Sequence, residues 1–183
     1  MSYSFKTLSL RNLILAIIVA VCAIPVRAET NVLAAGKYAS SAAFPCTSQQ
    51  QEPRTYKTDV GNVSQTSSMC SQGDTAYTLT ITEFPKQLLA GLSTNEMLDS
   101  TLDDARSKSY MKIVSSNQTR YQNHPAIRAH LLDTRKPETE SFTVSIFVDR
   151  YLISALVVAA TGQGKPKSTS DFLDSVKINV RRK

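Results

Sequence analysis

The stretch from Phe142 to Val157 restricts what this chain can fold into more than any other. Phe142, Val144, Ile146 and Val148 occupy every second position up to Asp149-Arg150, and Tyr151, Ile153, Ala155 and Val157 resume the alternation beyond it. A period of two puts each set on one face of a strand. A two-residue turn at Asp149-Arg150 sets Val148 opposite Tyr151, Ile146 opposite Ile153 and Phe142 opposite Val157, which makes one continuous apolar face. The second strand is also apolar on its other face between 152 and 160, Ser154 aside. That predicts cover on both sides and places the pair at the centre of a sheet.

The remaining patterns agree with an antiparallel sheet. From Ala76 to Thr82, Tyr77, Leu79 and Ile81 alternate with Thr78, Thr80 and Thr82, giving one apolar and one hydroxyl face, and Phe84-Pro85 ends the strand. Lys37 to Phe44, Arg54 to Asp59, Asn62 to Met69, Met111 to Ser116 and Ile127 to Leu131 read as shorter strands, the second and third forming a hairpin across Val60-Gly61. Ser93, three residues ahead of Glu96, is a capping box that starts a helix. Its inward stripe is Met97, Leu98, Leu102 and Ala105, and Glu96, Asp99, Asp103 and Asp104 face solvent. Ser168 or Ser170 caps a second, short helix from Asp171 that buries Phe172, Leu173 and Val176. Strands, helix, strands, helix with hairpin-length connections predict an α+β fold, not a doubly wound parallel sheet. No Gly-x-Gly-x-x-Gly or phosphate loop is present.

The 183 residues suit one domain. Residues 1–28 read as a secretory signal: Lys6 and Arg11 flank an apolar run from Leu13 to Val26, and Val26-Arg27-Ala28 offers a cleavage site. That run is shorter than the roughly 20 residues needed to span a bilayer, so no stable membrane span is expected after cleavage. Residues 29–35 have no period and are expected to be a flexible leader, with the domain covering 36–180 and Arg181, Arg182 and Lys183 forming a basic tail. Two cysteines remain after cleavage, Cys46 and Cys70, and in an oxidising compartment they are expected to pair. The net charge of +6 comes mostly from the ends. The first 28 residues hold three cations and no acid, leaving 18 basic against 15 acidic side chains, and the last three residues equal that excess. A broad nucleic-acid-binding face is therefore not expected.

Several short pieces occur in a telling order: Gly36-Lys37-Tyr38 leading to Phe44-Pro45, Gly61-Asn62-Val63, Tyr77 to Phe84-Pro85, Leu98 to Arg106, His124-Pro125, Asp149-Arg150 entering an apolar strand, and Phe172-Leu173-Asp174-Ser175-Val176. In this order the chain resembles secreted bacterial proteins of the Mog1/PsbP-like type. The resemblance implies an α/β/α sandwich around an antiparallel sheet. It also implies a binding or accessory role, because relatives of this type include photosystem accessory proteins, a nuclear-transport cofactor, envelope lipoproteins and secretion adaptors.

No catalytic constellation is visible, and neither an enzyme activity nor a cofactor is expected. The two histidines, His124 and His130, stand six residues apart along one strand, about 20 Å, which is too far for a shared metal; no Gly-x-Ser-x-Gly elbow positions a nucleophile. Arg120, His124, Arg128 and His130, with Arg135 and Lys136 beyond them, form a local basic concentration. They are the candidate surface for an acidic partner or anion, against the simpler reading that Asp133, Glu138 and Glu140 neutralise them. Two functions follow: an exported, periplasmic or extracellular accessory protein that binds another envelope or secreted protein, or a carrier of a small apolar ligand or lipid between sheet and helix. A large apolar cavity near Ala155, Ala159 and Ala160 would mark the carrier; a filled core with an exposed patch would mark the accessory protein. The exported protein is expected to show an intact mass of residues 29–183 less two hydrogens; a mass that retains residues 1–28 would contradict the N-terminal reading.

Overall fold

A computed structural model describes residues 29–108, 110–161 and 167–181. Residues 1–28, the Gly162 and Gly164 loop, Arg182 and Lys183, and the side chains of Asp104 and Ala105 lie outside the described residues. The pairing of β9 (Thr139–Val148) with β10 (Tyr151–Ala160) is the expected hairpin, with Val148 against Tyr151, Ile146 against Ile153 and Phe142 against Val157. The other side of β10 is taken by β6 (Thr75–Glu83), which pairs in turn with β5 (Gly61–Gln72). On the far side of β9 lie β8 (His124–Asp133) and then β7 (Met111–Tyr121). With the edge strands β3 (Gln49–Gln50) and β4 (Arg54–Thr58) on β5, these form an eight-stranded sheet in which every neighbouring pair is antiparallel.

A separate three-stranded sheet holds β2 (Tyr38–Phe44) between β1 (Glu29–Ala35) and β11 (Lys177–Val180). Residues 29–35 are thus a strand and not a flexible leader. They pair with β2 along their whole length, Leu33 is buried, and the Asn31 amide bonds Ser48 and Ser68. Backbone pairing and these polar contacts supply the order, and so few apolar side chains point inward that no period was visible.

The α-helices among the described residues are α1 (Thr94–Lys108) and α2 (Lys167–Asp174). Ser93 N–H donates to Glu96 Oε2 at 2.7 Å and Glu96 N–H donates to Ser93 Oγ at 3.3 Å, the reciprocal cap the sequence predicts. Those bonds hold the Glu96 carboxyl below its ordinary pKa. α2 begins earlier than expected, and Ser168 bonds the Tyr77 hydroxyl at 2.9 Å in place of capping from outside the helix.

Adjacent residues on the central strands enter different cores on opposite faces of the large sheet. Ile146 and Ala126 join Leu33, Phe44, Tyr77, Val144, Ile153, Val157 and Phe172 beneath the small sheet and α2. Phe147 and Ile127 join Met97, Leu98 and Leu102 of α1 on the other side. The second cover is partial. α1 reaches β7, β8 and β9, leaving Leu152, Ser154, Leu156 and Val158 of β10 half-buried, so the expectation of complete cover holds for one face only.

Cys46 and Cys70 are bonded, with Cα atoms 5.9 Å apart, tying the chain just beyond β2 to β5. Closing a loop of 24 residues' separation restricts the unfolded chain by about 3.5 kcal/mol in the entropy model. Replacing both cysteines by serine should lower the unfolding free energy by about that amount in urea melts; an unchanged midpoint would mean the bond adds nothing.

Candidate functional site

The basic residues singled out from the sequence fall in two places. Arg128 and His130 share one face of β8, beside a hollow of about 300 Å³ that also touches Ser115, Asn117, Phe142 and Leu173. Each has a carboxylate partner. Arg128 Nη2 lies 2.5 Å from Asp174 Oδ1 and its guanidinium sits 5.7 Å from the Tyr121 ring centre. His130 Nε2 meets Glu140 Oε2 at 2.8 Å, and its ring stacks on Phe142 at 4.5 Å. The Glu140 side chain is only 8% exposed, so this bond answers the desolvation of a buried carboxyl. Glu140 was visible in sequence as a neutralising acid; Asp174, on α2 and 46 residues from Arg128, was not. Asp133 serves Arg135. Arg120 is exposed on β7 opposite Pro125, and His124 opens β8 at the end of the sheet. Arg128 and His130 are thus brought together, each against its own acid. Among the described residues no cluster of three His, Cys, Asp or Glu side chains stands close enough to hold a metal ion.

That end of the sheet gathers the tight turns. Gln122 and Asn123, both with positive φ, join β7 to β8, and the Gln122 side chain bonds the backbone of Val176 and Ile178, gripping the start of the small sheet's last strand. Asp149, with φ of 55°, opens the β9–β10 turn, a conformation that aspartate tolerates better than most residues. Gly36, with φ of 53°, turns β1 into β2, and a Cβ there would overlap the Tyr151 hydroxyl. Glycine is needed twice over, for its dihedral and for the close approach.

Between these turns lies an open hollow of about 830 Å³, lined by Gly36, Lys37, Lys86, Leu89, Asp149, Arg150 and Tyr151. Three of its four charged side chains are held in place. Asp149 Oδ2 accepts from Lys37 Nζ at 2.5 Å and from Tyr38 Oη at 2.8 Å, a polar joint between the two sheets. Tyr38 meets the Tyr151 ring edge-on at 5.2 Å. Arg150 pairs with Glu83 and lies 5.6 Å from the Tyr151 ring. The Lys37 and Tyr38 hydrogen bonds, with a smaller contribution from His124, hold the Asp149 carboxyl below its ordinary pKa. The same contact with Asp149 raises Lys37, and Tyr38 is raised chiefly by burial and then by that bond. A bond to Tyr151 raises Arg150. Three cations against one lining carboxylate, with Glu83 alongside Arg150, make a positively biased pocket suited to holding an anionic group. In the sequence Asp149-Arg150 reads as a hairpin turn and Lys37 as the start of a strand, and nothing local marks the three as a site. Lys86 carried no signal, because it follows Phe84-Pro85 at a strand end.

No protein-family model matches the chain, and no curated protein matches it. Among solved structures the chain is similar to the solution structure of cyanobacterial PsbP (CyanoP) from Synechocystis sp. PCC 6803, at 12% identity over 83% of this chain and 94% of that one, with a TM-score of 0.51. A likeness at that identity shows the fold alone, and it is a PsbP-like α+β fold with a mostly antiparallel sheet and two helices. A Pseudomonas aeruginosa protein of unknown function, PA94, matches at 9% identity over 61% of this chain and 85% of its own, with a TM-score of 0.42, too low to carry an argument. Among the described residues no helix is long and apolar enough to cross a membrane.

A carboxylate whose pKa is depressed by folding contributes stability that is present above its unfolded value, about 3.9 for aspartate, and is lost as the pH falls through the folded value. Urea midpoints of the native protein should therefore drop more steeply below about pH 4 than those of Asp149→Asn. Parallel curves would remove Asp149 from the acid limb.

Proposed function

We propose that the protein is an exported, non-catalytic accessory protein, a Mog1/PsbP-like α/β/α sandwich freed from a signal at residues 1–28, that binds another envelope or secreted protein. The observation that carries this reading is the pairing of a filled interior with an open, charged hollow. Phe44, Tyr77 and Phe172 meet at centroid distances of 4.9 and 5.4 Å, and Ala155 and Ala159, two of the three small residues beside which a cavity would mark the carrier, are buried at 0% and 4% exposure. A protein built this way offers its chemistry on the surface. The disulfide suits an oxidising compartment.

The carrier of a small apolar ligand or lipid is the second reading, and one feature favours it. Between α1 and the uncovered half of the sheet lies a hollow of about 270 Å³, with Leu102, Leu131, Leu152 and Leu156 among hydroxyls of Thr78, Thr80, Thr82 and Ser154. It is small for a lipid chain, and although its surface is mostly apolar, seven of its twelve lining residues are Thr or Ser.

A photo-crosslinking residue placed singly at Tyr56, Lys86, Tyr110, Val114 and Val180 in the native host separates these readings. These positions are exposed and lie on different strands and turns. The accessory reading expects a discrete protein adduct from at least one of them. Absence of adducts from all five, with a small molecule co-purifying and lost on denaturation, would turn the assignment to the carrier.

A further inference from the structure

The hollow among the turns carries a more specific inference, resting on the reading of this protein as one that binds another protein. We propose that Lys37, Lys86 and Arg150, together with Leu88 and Leu92 on the adjoining segment, form a docking site for an acidic segment of a partner protein with interspersed apolar side chains. The charge argument rests on donors still available. A lysine ammonium has three N–H donors and an arginine guanidinium five. Lys37 is bonded to Asp149 and Arg150 to Glu83, yet their side chains remain 59% and 37% exposed. An incoming carboxylate can accept from the remaining donors without displacing the resident acids. Those acids also hold the cations in place, so less side-chain freedom is lost on binding than at a bare surface lysine. Lys86 has no ion-pair partner among the described residues and supplies the uncompensated charge.

The apolar part of the surface comes from the chain just beyond Lys86. The short 3-10 turn Lys86–Leu89 buries none of its residues, and Leu88 and Leu92 are 36% and 50% exposed. The segment is closed by backbone bonds to its own near neighbours, Leu88 N–H to Pro85 O and Leu92 N–H to Leu89 O. Two leucines exposed within six residues of Lys86 are a poor surface for water and a suitable one for a peptide carrying both charge and hydrocarbon. Shape distinguishes this partner from an anionic bilayer. The cations line a hollow of about 830 Å³ between turns. Side chains projecting from a peptide can enter such a hollow, whereas a flat membrane surface engages charges that protrude.

The test uses the full mature protein and a fluorescein-labelled octapeptide of alternating Asp and Leu, with an alternating Lys and Leu peptide, an alternating Asp and Ser peptide, and phosphatidylglycerol vesicles as comparisons. Fluorescence anisotropy is expected to show binding of the Asp/Leu peptide that weakens about tenfold in Lys86→Glu and weakens on raising salt from about 0.05 to 0.5 M. The Asp/Ser peptide should bind less well to the native protein, and Leu92→Ser should erase that difference. Lys86 and Leu92 are exposed, so thermal melts of both variants should match the native protein and separate lost binding from lost folding. The site is overturned if the Asp/Leu peptide does not bind, if Lys86→Glu binds it equally well, if the Lys/Leu peptide binds as tightly, or if vesicles bind in its place. Such a failure with a protein adduct still captured at another crosslinking position leaves the accessory reading standing; no adduct at any position overturns that reading itself.

Discussion

The register of β9 against β10 is the constraint on which the rest of the structure depends. A slip of one residue would exchange Val144, Ile146 and Val148 for Ser145 and Phe147 on the face under the small sheet, bringing a serine into the core that holds Tyr77 and Phe172. Both cores are written on these two strands. Ile146 and Ile153 point into one, Phe147 and Leu152 into the other, and every other strand of the large sheet is placed by pairing outward from this centre. The two-residue turn at Asp149-Arg150 holds the register, which is why a residue in the left-handed region is retained there.

The same turn positions the chemistry. Because β9 and β10 are central, their connection emerges at the middle of one end of the sheet, where it meets the Gly36-Lys37 turn of the small sheet and the segment leaving β6. Asp149 then does two things at once. It joins the small sheet to the large one through Tyr38 and Lys37, and it fixes a lysine at the wall of the hollow. Structure and surface share these groups, so the hollow is a consequence of how the two sheets are fastened. At the opposite charge cluster the reverse holds: Arg128 and His130 are matched one to one by Asp174 and Glu140, which makes them fasteners of α2 and β9 more than a receptive surface.

Particular residues show how far the sequence could be read. The central hairpin, the Thr and apolar alternation of β6, the Ser93–Glu96 box and the cysteine pair were all legible, because each is a local pattern whose physics acts within a few residues or, for the cysteines, by simple elimination of partners. Strands β7 and β8 were read too short. Ser115 to Arg120 carries hydroxyl, amide and basic side chains at an edge and has no apolar face to report, and the Gln122-Asn123 turn lacks glycine. β1 was missed because its order comes from pairing with β2 and from Asn31, not from periodicity. Cover over β10 was overestimated on one face because apolar side chains state a preference for burial without ensuring that a helix long enough arrives to satisfy it.

What the sequence by itself determined is the set of local choices: the central strands with a covered apolar face, where two turns and a helix begin, which cysteines bond, and that the fold is α+β with an antiparallel sheet. What only the tertiary structure decided is which charges meet. Lys37 finds Asp149 across 112 residues, Arg128 finds Asp174 across 46, and Lys86 is left without an acid among the described residues. Periodicity is written by the backbone's own repeat and survives in a string of letters. Ion pairing depends on distances in space that the string does not hold, so a site made of turns from distant segments becomes visible only when the sheets are folded together.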